Sequence, residues 1–236
     1  MIKLAISGCL GKMGRRINEL SKLDKVFKVV TLLEMSGHPE LEANLDGVVV
    51  SDDLNNLKQA QVLIEFTSPD ATMLHLKKCV ELKKAIVIGT TGLSDIQKEE
   101  IKKAAKKIPV VFSPNMSVGV NLLLKLVRVA ASKLSSEYKV SITEAHHVHK
   151  KDAPSGTAKQ LAEVIEKERG EKVSDIKSLR EGEIVGDHEV LFESSVDTIR
   201  LSHSAKTRDI FAKGALVAAK WVAKKKSGLY SMQDIL

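Results

Sequence analysis

The chain has 236 residues, is 43% hydrophobic, carries a formal charge of +7 and contains two cysteines. That length accommodates one large domain or two modest ones, while Cys9 and Cys79 are too few for a disulfide framework or a structural metal site. Apolar runs stop far short of the roughly 18 residues that span a bilayer, and residues 1–3 lead into a strand rather than a signal peptide, so a cytoplasmic protein without a membrane partner is expected. The surplus lysines, among them Lys77, Lys78, Lys102 and Lys103, are interleaved with Glu81, Glu99 and Glu100, and aromatic residues make up 3%. This pattern describes solvated helix faces and argues against a nucleic-acid partner, which needs stacking rings or a concentrated basic stripe.

Residues 3–7 form a short apolar strand, followed by Gly8, Cys9, Leu10, Gly11, Lys12, Met13 and Gly14 and a helical pattern to about residue 22. Glycines three apart between a strand and a helix are a variant of the dinucleotide fingerprint. Without Cβ atoms the backbone can approach a pyrophosphate, whose charge then meets a helix N-terminus. A second strand, 27–33, ends in Glu34, 20 residues after Gly14, where an acidic side chain would hold a ribose hydroxyl. Strands at 62–66, 85–88 and 110–112 then alternate with helices at 69–83 and 94–107, each strand a continuous apolar run as in buried parallel sheets. A short strand at 48–50 and a helical turn at 54–57 lie in the poorly patterned connection. Two strand ends carry Gly89, Thr90, Thr91 and Gly92, and Ser113, Pro114, Asn115 and Met116, positions that line the cofactor crevice of a doubly wound sheet.

After a helix over 117–134, Tyr138, Val140 and Ile142 alternate with Lys139, Ser141 and Thr143 in the period of a half-buried strand. It leads into EAHHVHKKDAPSGTA, residues 144–158, which packs His146, His147, His149, Lys150, Lys151 and Asp152 together. Ala153 before Pro154 is biased to extended backbone, and Ser155 or Thr157 can cap a helix over 158–167. Its open first-turn amides, flanked by lysine and histidine, suit a carboxylate or phosphate. No metal is expected, because no HExxH-type helix surrounds the histidines and adjacent lysines oppose a cation. A hydrophilic stretch at 169–188, strands at 189–194 and 198–203, and a helix at 208–224 that returns to the first domain complete the chain. The expectation is an α/β protein: a Rossmann-type doubly wound parallel sheet (1–116 and 206–236) plus a smaller α+β domain with a mixed sheet (117–205).

The glycine loop, residues 89–92, SPNMSVGVN at 113–121, the 144–158 motif and the tail from Phe211 through Trp221 to Tyr230 span nearly the whole chain. On these motifs the chain resembles the 4-hydroxy-tetrahydrodipicolinate reductase (dihydrodipicolinate reductase) family of lysine biosynthesis. The resemblance implies reduction of a cyclic dicarboxylate with NADH or NADPH, a homotetramer assembled through the second domain's sheet, and a hinge between domains. It makes His146 a proton donor and acceptor and Lys150 a proton donor, and gives substrate binding to His147, Ser155, Gly156 and Thr157. Gly8 to Met13, Glu34, Gly89, Thr90, Thr91 and Ser113 to Met116 are the expected cofactor residues. Where many relatives carry Arg after the acidic residue of the second strand, this chain has Met35, which favours NADH, while Lys12 offers a 2′-phosphate a point charge. A reductase of the same architecture acting on another small carboxylic acid is the alternative. A nucleic-acid-binding Rossmann protein without catalysis would show no turnover.

Overall fold

Short apolar runs bounded by glycine, serine and lysine can be buried on both faces, and in the computed structural model, which describes residues 1–236, they become the strands of a parallel sheet. These are β1 (Ile2–Ser7), β2 (Phe27–Leu33), β3 (Asn44–Leu45), β4 (Val48–Ser51), β5 (Val62–Glu65), β6 (Ala85–Ile88) and β7 (Pro109–Phe112). They lie in the order β7-β6-β5-β1-β2-β4-β3, parallel except for β3. Counting the parallel strands alone, this is the 3-2-1-4-5-6 order of doubly wound dinucleotide-binding sheets. Leu4, Ile6, Leu63, Ile64, Ile86 and Ile88 are fully buried, each contributing about 1.5–3 kcal/mol of hydrophobic stabilisation. The connecting helices are α1 (Lys12–Ser21), α2 (Pro69–Leu82) and α3 (Asp95–Ala105). Ser68 caps α2, and Ser94 with Gln97 closes a capping box on α3, so serine placement fixes both starts.

The chain divides into two compact units, 1–116 with 211–235, and 117–210 with Leu236. In the second, α4 (Val118–Lys133) and α5 (Gly156–Arg169) cover one face of a four-stranded sheet. Its strands are β8 (Lys139–His146), β9 (Asp175–Arg180), β10 (Asp187–Glu193) and β11 (Thr198–Ser204), in the order β11-β10-β8-β9. Because β8 and β9 are parallel and the other pairs antiparallel, the sheet is mixed. The chain then returns to the first unit, where α6 (Asp209–Val222) buries Ala212, Ala215, Ala218, Ala219 and Val222, and β12 (Gly228–Tyr230) pairs with β7. No helix is long and apolar enough to cross a membrane.

Three expectations are corrected. The strand read as 138–143 runs on to His146, so the first histidine lies within the sheet. The helix read as 158–167 starts earlier, at Gly156, while Ser155, one of the two caps expected, accepts the Ala158 amide at 3.2 Å. The hydrophilic stretch at 169–188 contains β9, an edge strand whose outer residues are all exposed, so too little of it is apolar to show a period.

Candidate active site

In the first unit, the loops expected to hold the cofactor follow the ends of parallel strands. Gly8, after β1, adopts φ +57°, and a Cβ on Gly14 would lie 2.1 Å from the Gly8 carbonyl oxygen, so α1 begins against the loop with no room for a side chain. Gly11 caps α1 without a side-chain bond, leaving the amides of Lys12 and Met13 with no side-chain acceptor. Glu34, just past β2, reaches back to this loop: its carboxylate accepts the Leu10 amide at 3.0 Å and the Met35 amide at 3.0 Å. The Cys9 thiol is pushed up to about 12 by burial and then by Glu34, so it packs as a neutral group. Beyond β6, Gly89 and Thr90 are buried, and Thr90 Oγ1 accepts the Thr67 amide at 3.2 Å and the Thr72 hydroxyl at 2.9 Å. Past β7, Ser113 donates to the Asn115 carbonyl at 2.8 Å and Met116 is buried. Lys12, Thr91 and Pro114 are exposed on these same loops. Beneath them lies a polar knot that the sequence did not reveal: fully buried Glu65 accepts from Ser7 Oγ at 2.7 Å and the Thr67 amide at 3.0 Å, and pairs with His75 Nδ1. A tight glycine turn, an uncapped helix start and a carboxylate beside them form a cradle that fits a dinucleotide.

In the second unit, the inner face of the small sheet changes character along its length. Cross-strand rows of Val140, Phe192 and Ile199, then Ile176, Ile142, Val190 and Leu201, are apolar. The next row is Ser178, Glu144, His188 and His203, and after it Arg180 lies beside His146. The N-terminus of α5 arrives at this polar end. The Ser155 amide donates to Glu144 at 3.2 Å and its Oγ lies 3.1 Å from His188 Nε2. Glu144 is fully buried, gripped by two Arg180 nitrogens at 3.1 and 3.0 Å and hydrogen-bonded by His146 Nδ1. Arg180 also donates to the carbonyls of Lys150, at 3.3 Å, and Asp152, while Lys150 Nζ lies 2.7 Å from Asp152 Oδ1. The His146 ring meets His188 edge-on with centroids 5.1 Å apart, and a Cβ on Gly186 would fall 3.0 Å from its Nε2. His147 Nε2 lies 3.5 Å from the Arg208 guanidinium. Gly156 is exposed and Thr157 half-buried in the first turn of α5, while His149 points away toward Glu183.

Burial pushes the Glu144 carboxyl up, but hydrogen bonds from Arg180, Ser178 and His146 outweigh it and hold the group at about 2. A carboxylate this acidic only accepts, so His146 Nδ1 carries the proton and Nε2 is the nitrogen left for chemistry. His146 titrates below its ordinary value through burial, with the Lys150 and Arg180 charges adding to this against the upward pull of Glu144. Burial and then His146 press His188 down to about 4, which keeps it neutral.

Glu144, Arg180 and His188 belong to this cluster although the sequence reading gave them no role. Glu144 and His188 had a signal: continuing the two-residue alternation from Val140 and Ile142 reaches Glu144 and His146, and Phe192 and Val190 lead back to His188. Arg180 had none.

A doubly wound sheet with a glycine cradle, joined in one chain to a unit bearing a buried histidine–carboxylate pair beside a lysine, defines a nicotinamide-dependent oxidoreductase. The family described as dihydrodipicolinate reductase, N-terminus, matches residues 2–116, and its C-terminal counterpart matches residues 119–236. The 4-hydroxy-tetrahydrodipicolinate reductase of Nitrosospira multiformis is 39% identical, covering 100% of this chain and 97% of that protein. That of Ralstonia pickettii is 42% identical, covering 100% and 99%. The solved dipicolinate-bound dihydrodipicolinate reductase from Paenisporosarcina sp. TG-14 is similar with a TM-score of 0.87 at 26% identity, covering 100% of both chains. The chain belongs to the dihydrodipicolinate reductase family, and its reaction is the reduction of 4-hydroxy-tetrahydrodipicolinate in lysine biosynthesis.

Proposed function

We propose that His146, through Nε2, and Lys150 supply the protons of this reduction, and that the product is tetrahydrodipicolinate. The observation that carries the reading is the register of the small sheet, which ends an apolar face in Glu144, His146 and Arg180 where α5 begins. When bound, the nicotinamide would supply a hydride to the ring carbon left unsaturated as the 4-hydroxyl departs as water, and both that departure and the charge left on the conjugated system call for a positioned acid. His146 keeps the proton on its Nδ1, hydrogen-bonded to Glu144, and donates from Nε2, a contribution typically worth 10²–10⁴ in rate. Lys150 is a second donor and a cation for the substrate carboxylates. The first-turn amides of α5 at Gly156 and Thr157, with Ser155 and His147, meet a carboxylate at the positive end of the helix.

The glycine loop from Gly8 to Met13, with Glu34, Gly89, Thr90, Thr91 and residues 113–116, holds the dinucleotide in the first unit. The Glu34 carboxylate favours ribose hydroxyls and repels a 2′-phosphate, and Met35 brings no guanidinium to offset this, whereas exposed Lys12 offers one compact charge. Both cofactors are accepted, with NADH at least as good as NADPH. The protein works in the cytoplasm as a homotetramer built on the small sheet. In the test, His146→Gln and Lys150→Ala each lower kcat by roughly 10²-fold or more while the Kd for NADH, read by fluorescence, stays near that of the wild type. Wild-type turnover in either variant would overturn the assignment of that residue.

A further inference from the structure

We propose that Glu144 and Arg180 are a positioning pair that sets the tautomer and acid strength of His146 and fastens it to the Lys150 loop. The inference rests on the reading of His146 as the acid. Four observations carry it. The Glu144 carboxylate is fully buried and is shared between the Arg180 fork, the His146 ring and the Ser155 amide at the start of α5. The same guanidinium donates to the Lys150 and Asp152 carbonyls, so one planar group ties the Lys150 loop to the carboxylate that holds His146. His146 and Arg180 are register partners on β8 and β9, so the backbone fixes the arrangement before any side chain turns. Gly186 keeps the space beside Nε2 free of a side chain.

The charges around His146 give the pair opposite effects. Glu144 faces it from its own strand, Lys150 from the following loop with Asp152 as partner, Arg180 from β9, and His188 from β10 with Asp187 and His203 behind it. The nearest α5 contribution, Ser155, is uncharged. Glu144 favours the imidazolium, whereas Arg180 opposes it both directly and by neutralising Glu144. Deleting the carboxylate therefore weakens the hold of His146 on its proton, and deleting the guanidinium strengthens it. A pair that served packing alone would not produce opposite signs.

The test follows the His146 ring nitrogens by NMR in the ¹⁵N-histidine-labelled full chain, alongside kcat profiles against pH with the coupled pathway substrate. In Glu144→Gln, the His146 titration moves to lower pH and the neutral ring loses its preference for a protonated Nδ1. The limb on which activity falls as pH rises moves down with it, kcat drops roughly ten- to a hundredfold and the KM for NADH is unchanged. In Arg180→Gln, the titration and the limb move to higher pH. Arg180→Lys keeps the charge without the fork, so the titration stays near that of the wild type while kcat is reduced. A His146 titration and tautomer unchanged in Glu144→Gln, or moved the same way in Glu144→Gln and Arg180→Gln, overturns the proposal. Should Arg180→Gln lose its circular dichroism, Glu144→Gln and Arg180→Lys decide alone. If the ring titrations shift as stated while the rate limb stays still, the positioning pair stands and the reading of His146 as the acid falls.

Discussion

His188, packed edge-on against His146, shows how a buried neutral ring can govern acid stability. It is 5% exposed, and its folded value of about 4 lies below the ordinary 6.5. Folding therefore favours the neutral ring, and the unfolded chain binds more protons at acid pH. The contribution is fully present above about pH 6.5 and is lost as pH falls towards 4, a change on the order of 3 kcal/mol. Glu144, held at about 2, adds a loss that begins below its ordinary 4.5. Urea midpoints measured from pH 7 to 4.5 should fall steeply in the wild type and much less in His188→Gln, which keeps a polar partner for Ser155. Equal slopes in the two proteins would refute this origin. Met35 sits at the other end of the proposed chemistry, 70% exposed beside Glu34. Met35→Arg adds a guanidinium beside Glu34, the residue proposed to hold the adenine ribose. The kcat/KM ratio should shift towards NADPH about tenfold, since one partly exposed contact is worth about 1–2 kcal/mol. A ratio unchanged in steady-state kinetics would mean that another basic group, such as Lys12, already governs this choice.

The start of α5 is the element on which substrate affinity should depend most. Thr157 sits in its first turn, and Thr157→Val keeps the shape while removing the hydroxyl. The substrate KM should rise about tenfold or more with little change in kcat, matching the loss of a charge-assisted hydrogen bond worth about 1.5–3 kcal/mol. An unmoved KM would leave this turn a purely structural part. At this scale, most of the molecule could be read in advance. Continuous apolar runs announced β1, β5, β6 and β7, and the spacing from Gly14 to Glu34 located the end of β2. The partnership around His146 was harder. Its acidic member lay on the inward period of β8, but its basic member came from β9, whose partner strand is about 30 residues away in the chain and cannot be paired by local pattern. β12 has only three residues and gains its place from the edge of β7 rather than from any periodicity of its own.

For the whole molecule, the proposed tetramer turns attention to the outer face of the small sheet. Within its unit, α4 and α5 pack on the inner face, and Ala145, Leu179 and Leu191 lie on the other side, partly exposed. This is the surface through which the proposed tetramer would form. Leu191→Glu should shift the light-scattering mass from tetramer to smaller species while the first unit still binds NADH. A tetramer that survives the substitution would move the assembly surface elsewhere. A separate consequence lies in the path of the chain. The first unit is closed by Phe211–Ile235, with β12 lying along β7. The ribosome therefore delivers all of residues 117–210 before the strand that shields β7, and the nascent nucleotide-binding sheet waits with an open edge able to pair with another chain. The segment encoded in the middle can finish folding first, and the sheet begun at the N-terminus finishes last.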